Sequence, residues 1–362
     1  MNKKIFVVSF LLLLIILGGA YFFFNKYFVY ENGKISKISD LKNYSEFVSA
    51  QNQGKMDDAI KIAQDILDKN PGEISAMLSL AEAYVNKGSS DHKEAEYAPK
   101  ALEIIDQVLI KDSNNAEAYR IQGYAYEIQE KFDESIKSYD KSLEFKSSDL
   151  AYNSRGHAYE LMGQYQLAQD DYLKSYELNP ENPNVLMNLA RIYLSKGDEA
   201  KAKEFAEKVV NSSNGNTLFY IKASAYSVLG QIASNSGDKP LAIEKFSKAI
   251  ELLPTFVSGY TGRAQAMIFS GEVIPEDYKI QIFNDLNMVL GFDPNSSWAY
   301  YLLGKFYEKT DNYELALNNY KKALEVLPAD LGFDASSRDL VAKKYQEKID
   351  LAHSLLVSKL KK

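Results

Sequence analysis

The chain has 362 residues, of which 46% are hydrophobic and 25% charged, and this balance predicts a folded core and excludes wholesale disorder. Its formal net charge of −7 excludes nucleic acid as the main partner, because phosphate binding needs a basic surface. The chain has no cysteine, which excludes disulfides, a thiol nucleophile and a cysteine-ligated zinc site.

The N-terminus carries an uncharged apolar run. After the letters MNKK, the run extends from Ile5 to Phe24, residues 5–24. A helix rises about 1.5 Å per residue, so a segment of this length spans a bilayer core of about 30 Å. We therefore predict a transmembrane signal-anchor and juxtamembrane link over residues 1–35. A cleaved signal peptide that ends at the small residues 18–20 stays open as an alternative.

The membrane orientation is predicted from the lysines that flank this run. Lys3 and Lys4 lie close to it, and their density favours a cytoplasmic N-terminus, although the lysines after the run are more numerous. We expect a single-pass protein of a bacterial inner membrane, with the rest of the chain extracytoplasmic, either periplasmic or extracellular.

Beyond this segment, small residues recur with a period close to 34 residues. The first small position is held by Ala81, Gly123, Gly156, Ala190, Gly230, Ala264 and Gly304. Twelve residues later, where the intervening loop has standard length, come Ser135, Ala168, Ala202, Ala242 and Ala316. Prolines close several periods, at Pro71, Pro180, Pro254, Pro294 and Pro328. A fixed period of this length is typical of stacked supersecondary units.

Each period contains two stretches with apolar residues at i, i+3, i+4 and i+7, which predicts two amphipathic helices. We expect the small residues to lie where the paired helices cross, because the backbones approach closely there. Gly163 and Gly237 are expected to end first helices in the left-handed conformation. Asp238 is expected to cap the next helix, with Pro240 in its first turn.

This pattern resembles the tetratricopeptide repeat family. The resemblance implies an all-α fold, an α-solenoid in which helix-turn-helix units build a right-handed superhelix, here preceded by one transmembrane helix. Within residues 36–330 it implies about eight units, at 40–73, 74–115, 116–148, 149–182, 183–216, 223–256, 257–296 and 297–330.

Several units depart from the family pattern. The first has Phe47 where a small residue is usual, and the second and seventh carry insertions around SSDHKEAEY and EVIPEDY. The stretch at 211–217 is a candidate bend between two sub-arrays.

Residues 331–362 are predicted to form a C-terminal capping helix, with a docking helix as the alternative. Its predicted apolar positions are Leu340, Val341, Tyr345, Ile349, Ala352, Leu355 and Leu356.

The sequence shows no motif for chemistry. It lacks the phosphate-binding loop, the nucleophile elbow and the zinc helix motif. The three histidines, His92, His157 and His353, fall in different units, which argues against a metal cluster. We therefore expect no enzymatic activity, no cofactor and no metal.

The family resemblance implies instead a concave groove lined by the first helices of successive units. Transferred to this chain, its lining positions give a candidate peptide-binding set of Arg120, Tyr124, Glu127, Asn153, His157, Met187, Arg191, Gln231, Gln265, Tyr301 and Lys305. The carboxylate clamp of some family members is not supported, because Tyr124 and Ser154 stand where clamp asparagines would fall.

The expected function is a membrane-tethered scaffold or adaptor. Its partners would be other proteins, whose peptide segments bind in the groove during envelope protein assembly or biogenesis, and the membrane, through residues 5–24. The alternative is a self-associating spacer or ring component without a peptide ligand, and a homo-oligomer is compatible with both.

Overall fold

A computed structural model describes residues 30–31, 34–35, 41–212, 219–330 and 335–361. The predicted anchor at residues 5–24 lies outside these ranges, as does most of the candidate bend at 211–217. Among the described residues, no helix is both long enough and apolar enough to cross a bilayer. The chain divides into two compact units, Met1–Gln164 and Tyr165–Lys362, called unit 1 and unit 2 below.

The described part of unit 1 contains a two-stranded antiparallel ribbon, in which β1 (Tyr30–Glu31) pairs with β2 (Lys34–Ile35). Seven helices follow it. These helices are α1 (Leu41–Asn52), α2 (Met56–Lys69), α3 (Ile74–Asp91), α4 (Glu94–Lys111), α5 (Ala116–Glu127), α6 (Phe132–Phe145) and α7 (Asp149–Leu161). Each helix packs against the next, and the first helices α3, α5 and α7 also contact one another in sequence.

The described part of unit 2 contains ten helices and one 3-10 turn, Leu327–Ala329. The helices are α8 (Tyr165–Leu178), α9 (Pro183–Ser195), α10 (Glu199–Asn211), α11 (Phe219–Asn235), α12 (Lys239–Leu252), α13 (Val257–Ile268), α14 (Glu276–Phe292), α15 (Ser297–Lys309), α16 (Tyr313–Val326) and α17 (Ala335–Leu360). Here too each helix packs against its successor.

The local signals that define the helix ends are confirmed. Each of the five periodic prolines lies two residues past the last residue of a helix, where it cannot break helical hydrogen bonds. Gly163 and Gly237 have φ of 73° and 84°, the left-handed region that glycine enters without a steric cost. Asp238 accepts a hydrogen bond from the Leu241 amide at 3.1 Å and so caps α12.

The core of each hairpin depends on a large residue facing a small one. A Cβ added at Gly123 would lie 2.6 Å from Cε1 of Tyr139, so the fully buried tyrosine ring occupies the space that glycine leaves. The first hairpin reverses this order, because Phe47 on α1 packs in one cluster with Ala59 and Ala63 on α2. The exchange conserves volume, which explains why Phe47 is tolerated at a small position.

The predicted insertion around SSDHKEAEY is not a loop. It lengthens α3 and α4 to 18 residues each, with a tight turn at His92, whose φ is 54°. The inserted residues therefore extend the two helices of this hairpin. The second insertion does form a loop, which ends at Pro275 before α14.

The C-terminal helix α17 packs on α16 and on the 3-10 turn. Tyr345, Ile349 and Ala352 are buried in the same cluster as α15 and α16. Leu340 was expected to face the core but is exposed, because it lies on the opposite side of α17.

Candidate functional site

Polar side chains of unit 1 come together where α3, α5 and α7 lie side by side. We call this surface the first-helix face of unit 1 and define it by Glu82, Ser89, Glu117, Arg120, Tyr124, Glu127, Asn153 and His157. The helix period explains why they share a face, because residues three or four apart point in the same direction.

Arg120 anchors this face. Its Nη2 donates to Glu82 Oε1 at 2.7 Å and to Glu117 Oε1 at 2.8 Å, while Nε donates to Glu117 Oε2 at 3.0 Å. Burial would lower the pKa of Arg120, but the charges of Glu117 and Glu82 outweigh it and hold the pKa above its usual range. The guanidinium thus stays charged and fastens α5 to α3.

Glu127 links three helices at the other end of α5. The buried carboxylate accepts a hydrogen bond from the Tyr139 hydroxyl at 3.1 Å, and His157 Nδ1 lies 2.8 Å from its Oε1. Burial raises the pKa of Tyr139, so this tyrosine remains a neutral donor. The imidazole of His157 is half exposed, and Glu127 fixes its orientation.

Tyr124 lies between these two anchors. It is partly exposed, its hydroxyl bonds to Ser89, and burial raises its pKa. Tyr124 therefore offers a neutral hydroxyl and one ring surface, held in place from the α3 side.

The eleven predicted lining residues divide into two groups. Tyr124, Asn153, His157, Arg191, Gln231 and Gln265 are partly or fully exposed, while the other five are buried instead: Arg120, Glu127, Met187, Tyr301 and Lys305. The two groups are spread over both units. In unit 1, Arg120 joins α5 to α3, and Glu127 joins α5 to His157 on α7.

The physical reasons for burial differ among the five. Arg120 is held by its ion pairs with Glu82 and Glu117, and Glu127 by its hydrogen bonds with Tyr139 and His157. Met187 lies on α9 where that helix packs among its neighbours in unit 2. Tyr301 is stacked against Tyr345 of α17 at 5.2 Å and is only 4% exposed. The C-terminal helix thus covers the face that Tyr301 was expected to offer.

Unit 2 repeats one device of unit 1. Tyr320 donates to Glu308 Oε2 at 2.6 Å, just as Tyr139 donates to Glu127, and the partners are 12 positions apart in each case. Lys305 donates to the same glutamate at 2.7 Å. Burial would raise the pKa of Glu308, but the hydrogen bonds from Lys305 and Tyr320 outweigh it and lower the pKa.

Sequence reasoning missed Glu82 and Glu117 as partners of Arg120, and it missed the Glu–Tyr pairs. A glutamate at the twelfth position of a repeat, followed 12 residues later by tyrosine, is a signal that could have found those pairs. Among the described residues, no three histidines or carboxylates are grouped to hold a metal ion. What the face of unit 1 can supply is hydrogen bonding and aromatic contact.

Comparison with known proteins supports the repeat architecture. Family models of the tetratricopeptide repeat match residues 90–149, 150–182, 171–204 and 299–330. The TPR repeat-containing protein MJ1428 of Methanocaldococcus jannaschii is 25% identical over 312 residues, which are 82% of this chain and 48% of the relative. BBSome complex member bbs-4 of Caenorhabditis elegans is 24% identical over 221 residues, which are 59% and 45%. The chain thus spans about half the length of these curated relatives.

Solved structures share the fold. The Cut9–Hcn1 hetero-tetramer of the APC/C matches with a TM-score of 0.64 and 15% identity over 86% of this chain and 57% of that chain. PilF of Pseudomonas aeruginosa matches with a TM-score of 0.52 and 15% identity over 65% and 98%. The predicted all-α repeat fold is confirmed for the described helices. The family models place tetratricopeptide repeats within residues 90–204 and 299–330.

Proposed function

We propose that the first-helix face of unit 1 binds an extended segment of a partner protein. The observation that carries this proposal is that Tyr124, Asn153 and His157 are partly exposed on adjacent helices. The buried ion pairs of Arg120 and the hydrogen bonds of Glu127 hold those helices in register. A face fixed before binding loses little conformational freedom on binding, which favours affinity.

The chemistry of this face suits a peptide backbone. An extended segment presents amide donors and carbonyl acceptors that need partners along its length. Asn153 carries both a donor and an acceptor, and Tyr124 adds a hydroxyl and an aromatic surface for an apolar side chain. The relative bbs-4 is named as a member of a protein complex, which is compatible with protein partners for this chain.

The finer proposal is that this scaffold is non-enzymatic and tethered to a membrane. The tether is supported by the uncharged run at residues 5–24, which is long enough to span a bilayer. In this proposal the N-terminus is cytoplasmic, and the repeats lie outside the cytoplasm, where they would serve envelope protein assembly.

The orientation can be tested with a single reporter thiol. Because the chain has no cysteine, Lys93→Cys creates one at an exposed site. An impermeant maleimide should label it in intact cells. Labelling only after lysis would reverse the orientation.

Site-specific photo-crosslinking tests the peptide-binding proposal. A benzophenone amino acid replaces Tyr124 in native membranes, and the matched control places it at Tyr119, on the same helix but stacked on Phe145 instead. The Tyr124 probe should capture a small set of defined proteins that the Tyr119 probe does not. The capture should be lost when Asn153→Ala and His157→Gln are added. Equal capture at both positions, or capture that survives these substitutions, would overturn the assignment.

A further inference from the structure

Helix α14 presents an outer face with four large apolar side chains that no described residue of unit 2 covers. Ile280 is 74% exposed, and Phe283, Met288 and Phe292 are between 44% and 49% exposed. From residue 280 to residue 292 the sequence has one charged side chain, Asp285, and it points into the core, where it is 1% exposed. A contiguous group of exposed large apolar side chains marks an interaction site on a folded protein.

The corresponding second helices of the flanking hairpins differ. On α12 the exposed positions include Glu244, Lys248 and Glu251, and on α16 they include Lys321 and Glu325. These helices therefore show the usual charged outer face of a solvated repeat, and the apolar surface of α14 is a local feature.

The exposed residues of α14 form a seam that complements itself. Ile280, Asn284, Asn287 and Gly291 are spaced four, three and four residues apart, the spacing of a helix–helix contact line. In an antiparallel pair with a two-fold axis between Asn284 and Asn287, Ile280 packs over Gly291 and Asn284 meets Asn287. A Cβ at Gly291 would meet nothing within 4 Å, so there is room for the isoleucine of the second copy.

The flanks of the seam also match in this arrangement. Phe283 falls opposite Met288, so an apolar side chain meets an apolar one on each side of the two-fold axis. Such an isologous contact, in which the same patch serves both copies, is the commonest form of homodimer interface.

The available area fits a stable dimer. A fully exposed large apolar side chain contributes roughly 200 Å², so the four exposed side chains of α14 offer roughly 400 Å². Val273, which is 78% exposed in the loop that leads into α14, adds to this. A standard interface buries about 800 Å² on each side, of which roughly 60% is apolar. The α14 patch therefore approaches the apolar share of one such interface.

A second copy fits this face better than a bilayer surface does. Interfacial helices carry lysine and arginine along the polar flank to attract anionic lipids. The only basic residue of α14 is Lys279, and it is bound to Glu276 at 2.6 Å. We propose that two copies of this chain associate through antiparallel packing of their α14 helices.

Light scattering of the full chain in detergent micelles tests the proposal. The wild-type protein should have twice the mass of one chain, and Ile280→Glu should halve that mass by burying a carboxylate in the seam. The matched control is Ile110→Glu, because Ile110 is 85% exposed on α4 and lies in unit 1. It should remain a dimer. A monomeric wild type, a dimeric Ile280→Glu, or loss of the dimer in the control would each overturn the proposal.

Disulfide trapping in native membranes tests the register independently of purification. Because the chain has no cysteine, co-produced Ile280→Cys and Gly291→Cys chains should form a mixed disulfide under mild oxidation. Ile280→Cys alone should not link to itself, because the two equivalent positions lie about 16 Å apart along the antiparallel pair. Efficient self-linking at position 280, or no mixed disulfide, would contradict the antiparallel seam.

Discussion

At the scale of single residues, the close packing of an aromatic ring against a glycine lets the two helices of a hairpin approach each other. Gly123 and Tyr139 show this clearly, because the tyrosine ring lies where a Cβ would be, and the same tyrosine holds Glu127 through its hydroxyl. Tyr139 therefore both fills the core of its hairpin and holds a glutamate of the first-helix face of unit 1.

Gly123→Ala should destabilise the protein by about 1–3 kcal/mol, because the new Cβ would lie 2.6 Å from Tyr139 and force the ring to move. Urea unfolding followed by circular dichroism measures this change. Lys137→Ala is the control, because Lys137 is exposed on α6 and lies away from both the Gly123 contact and the α14 seam. A surface substitution of this kind should change the unfolding free energy by less than about 0.5 kcal/mol. Equal effects of the two substitutions would contradict the packing argument.

The lowered pKa of Glu308 predicts that the stability of the folded chain depends on pH. Its pKa in the folded chain is lowered, since hydrogen bonds from Lys305 and Tyr320 outweigh the effect of burial, so the carboxylate binds protons less readily folded than unfolded. Its contribution to stability is therefore complete above its ordinary pKa of 4.5 and is lost as the pH falls through the lower folded value. The difference in unfolding free energy between wild type and Glu308→Gln should be largest at neutral pH and should shrink below 4.5. A difference that does not vary with pH would refute this.

At the scale of elements, buried polar contacts fix how successive helices meet in unit 2. Arg263 on α13 donates to both carboxylate oxygens of Asp285 on α14, at 2.9 and 2.7 Å, and also to Ser247 on α12 at 3.1 Å. One side chain therefore ties three consecutive helices, and Gln281 completes the set by donating to Asp285 at 2.7 Å.

Asp285→Ala should cost about 3–5 kcal/mol of unfolding free energy, because it leaves the guanidinium of Arg263 without its main partner in a poorly hydrated place. Calorimetry or urea unfolding measures the loss. The control is Glu204→Ala, which removes a solvent-exposed pair with Lys208 and should cost less than about 1 kcal/mol. Replacing Arg263 and Asp285 together by apolar residues should cost less than Asp285→Ala alone. A double variant that is as unstable as the single one would argue against an unpaired charge as the cause.

At the scale of the whole molecule, the sequence predicts periodic features well and long-range pairings poorly. The helix ends at Gly237 and Asp238 follow from local backbone preferences, so a short window of sequence suffices to predict them. The burial of Arg120 depends on Glu82, 38 residues earlier in the preceding hairpin, and no local pattern reveals that pair. Tyr301 was expected to be open because its own helix gives no sign that α17 would cover it.

The stability of a repeat protein is approximately a sum of contacts between neighbouring repeats. Deleting one end should therefore destabilise the adjacent helices and leave distant ones unchanged. Removing residues 335–362 deletes α17 and uncovers Tyr301 and Tyr320 in the cluster that α15 and α16 share with it. Amide hydrogen exchange should then accelerate in α15 and α16 while α5 and α6 keep their protection, because α5 and α6 lie in unit 1 and pack against α4 and α7 there.

The substitution Leu340→Glu separates the loss of packing from a general effect of altering α17. Leu340 is exposed, so a charge there should leave exchange in α15 and α16 unchanged. Tyr345→Ala, which removes the ring stacked on Tyr301, should reproduce part of the effect of the deletion. Faster exchange that spreads equally through α5 and α6 would mean that the chain unfolds as one cooperative body, and the local account of its stability would then be wrong.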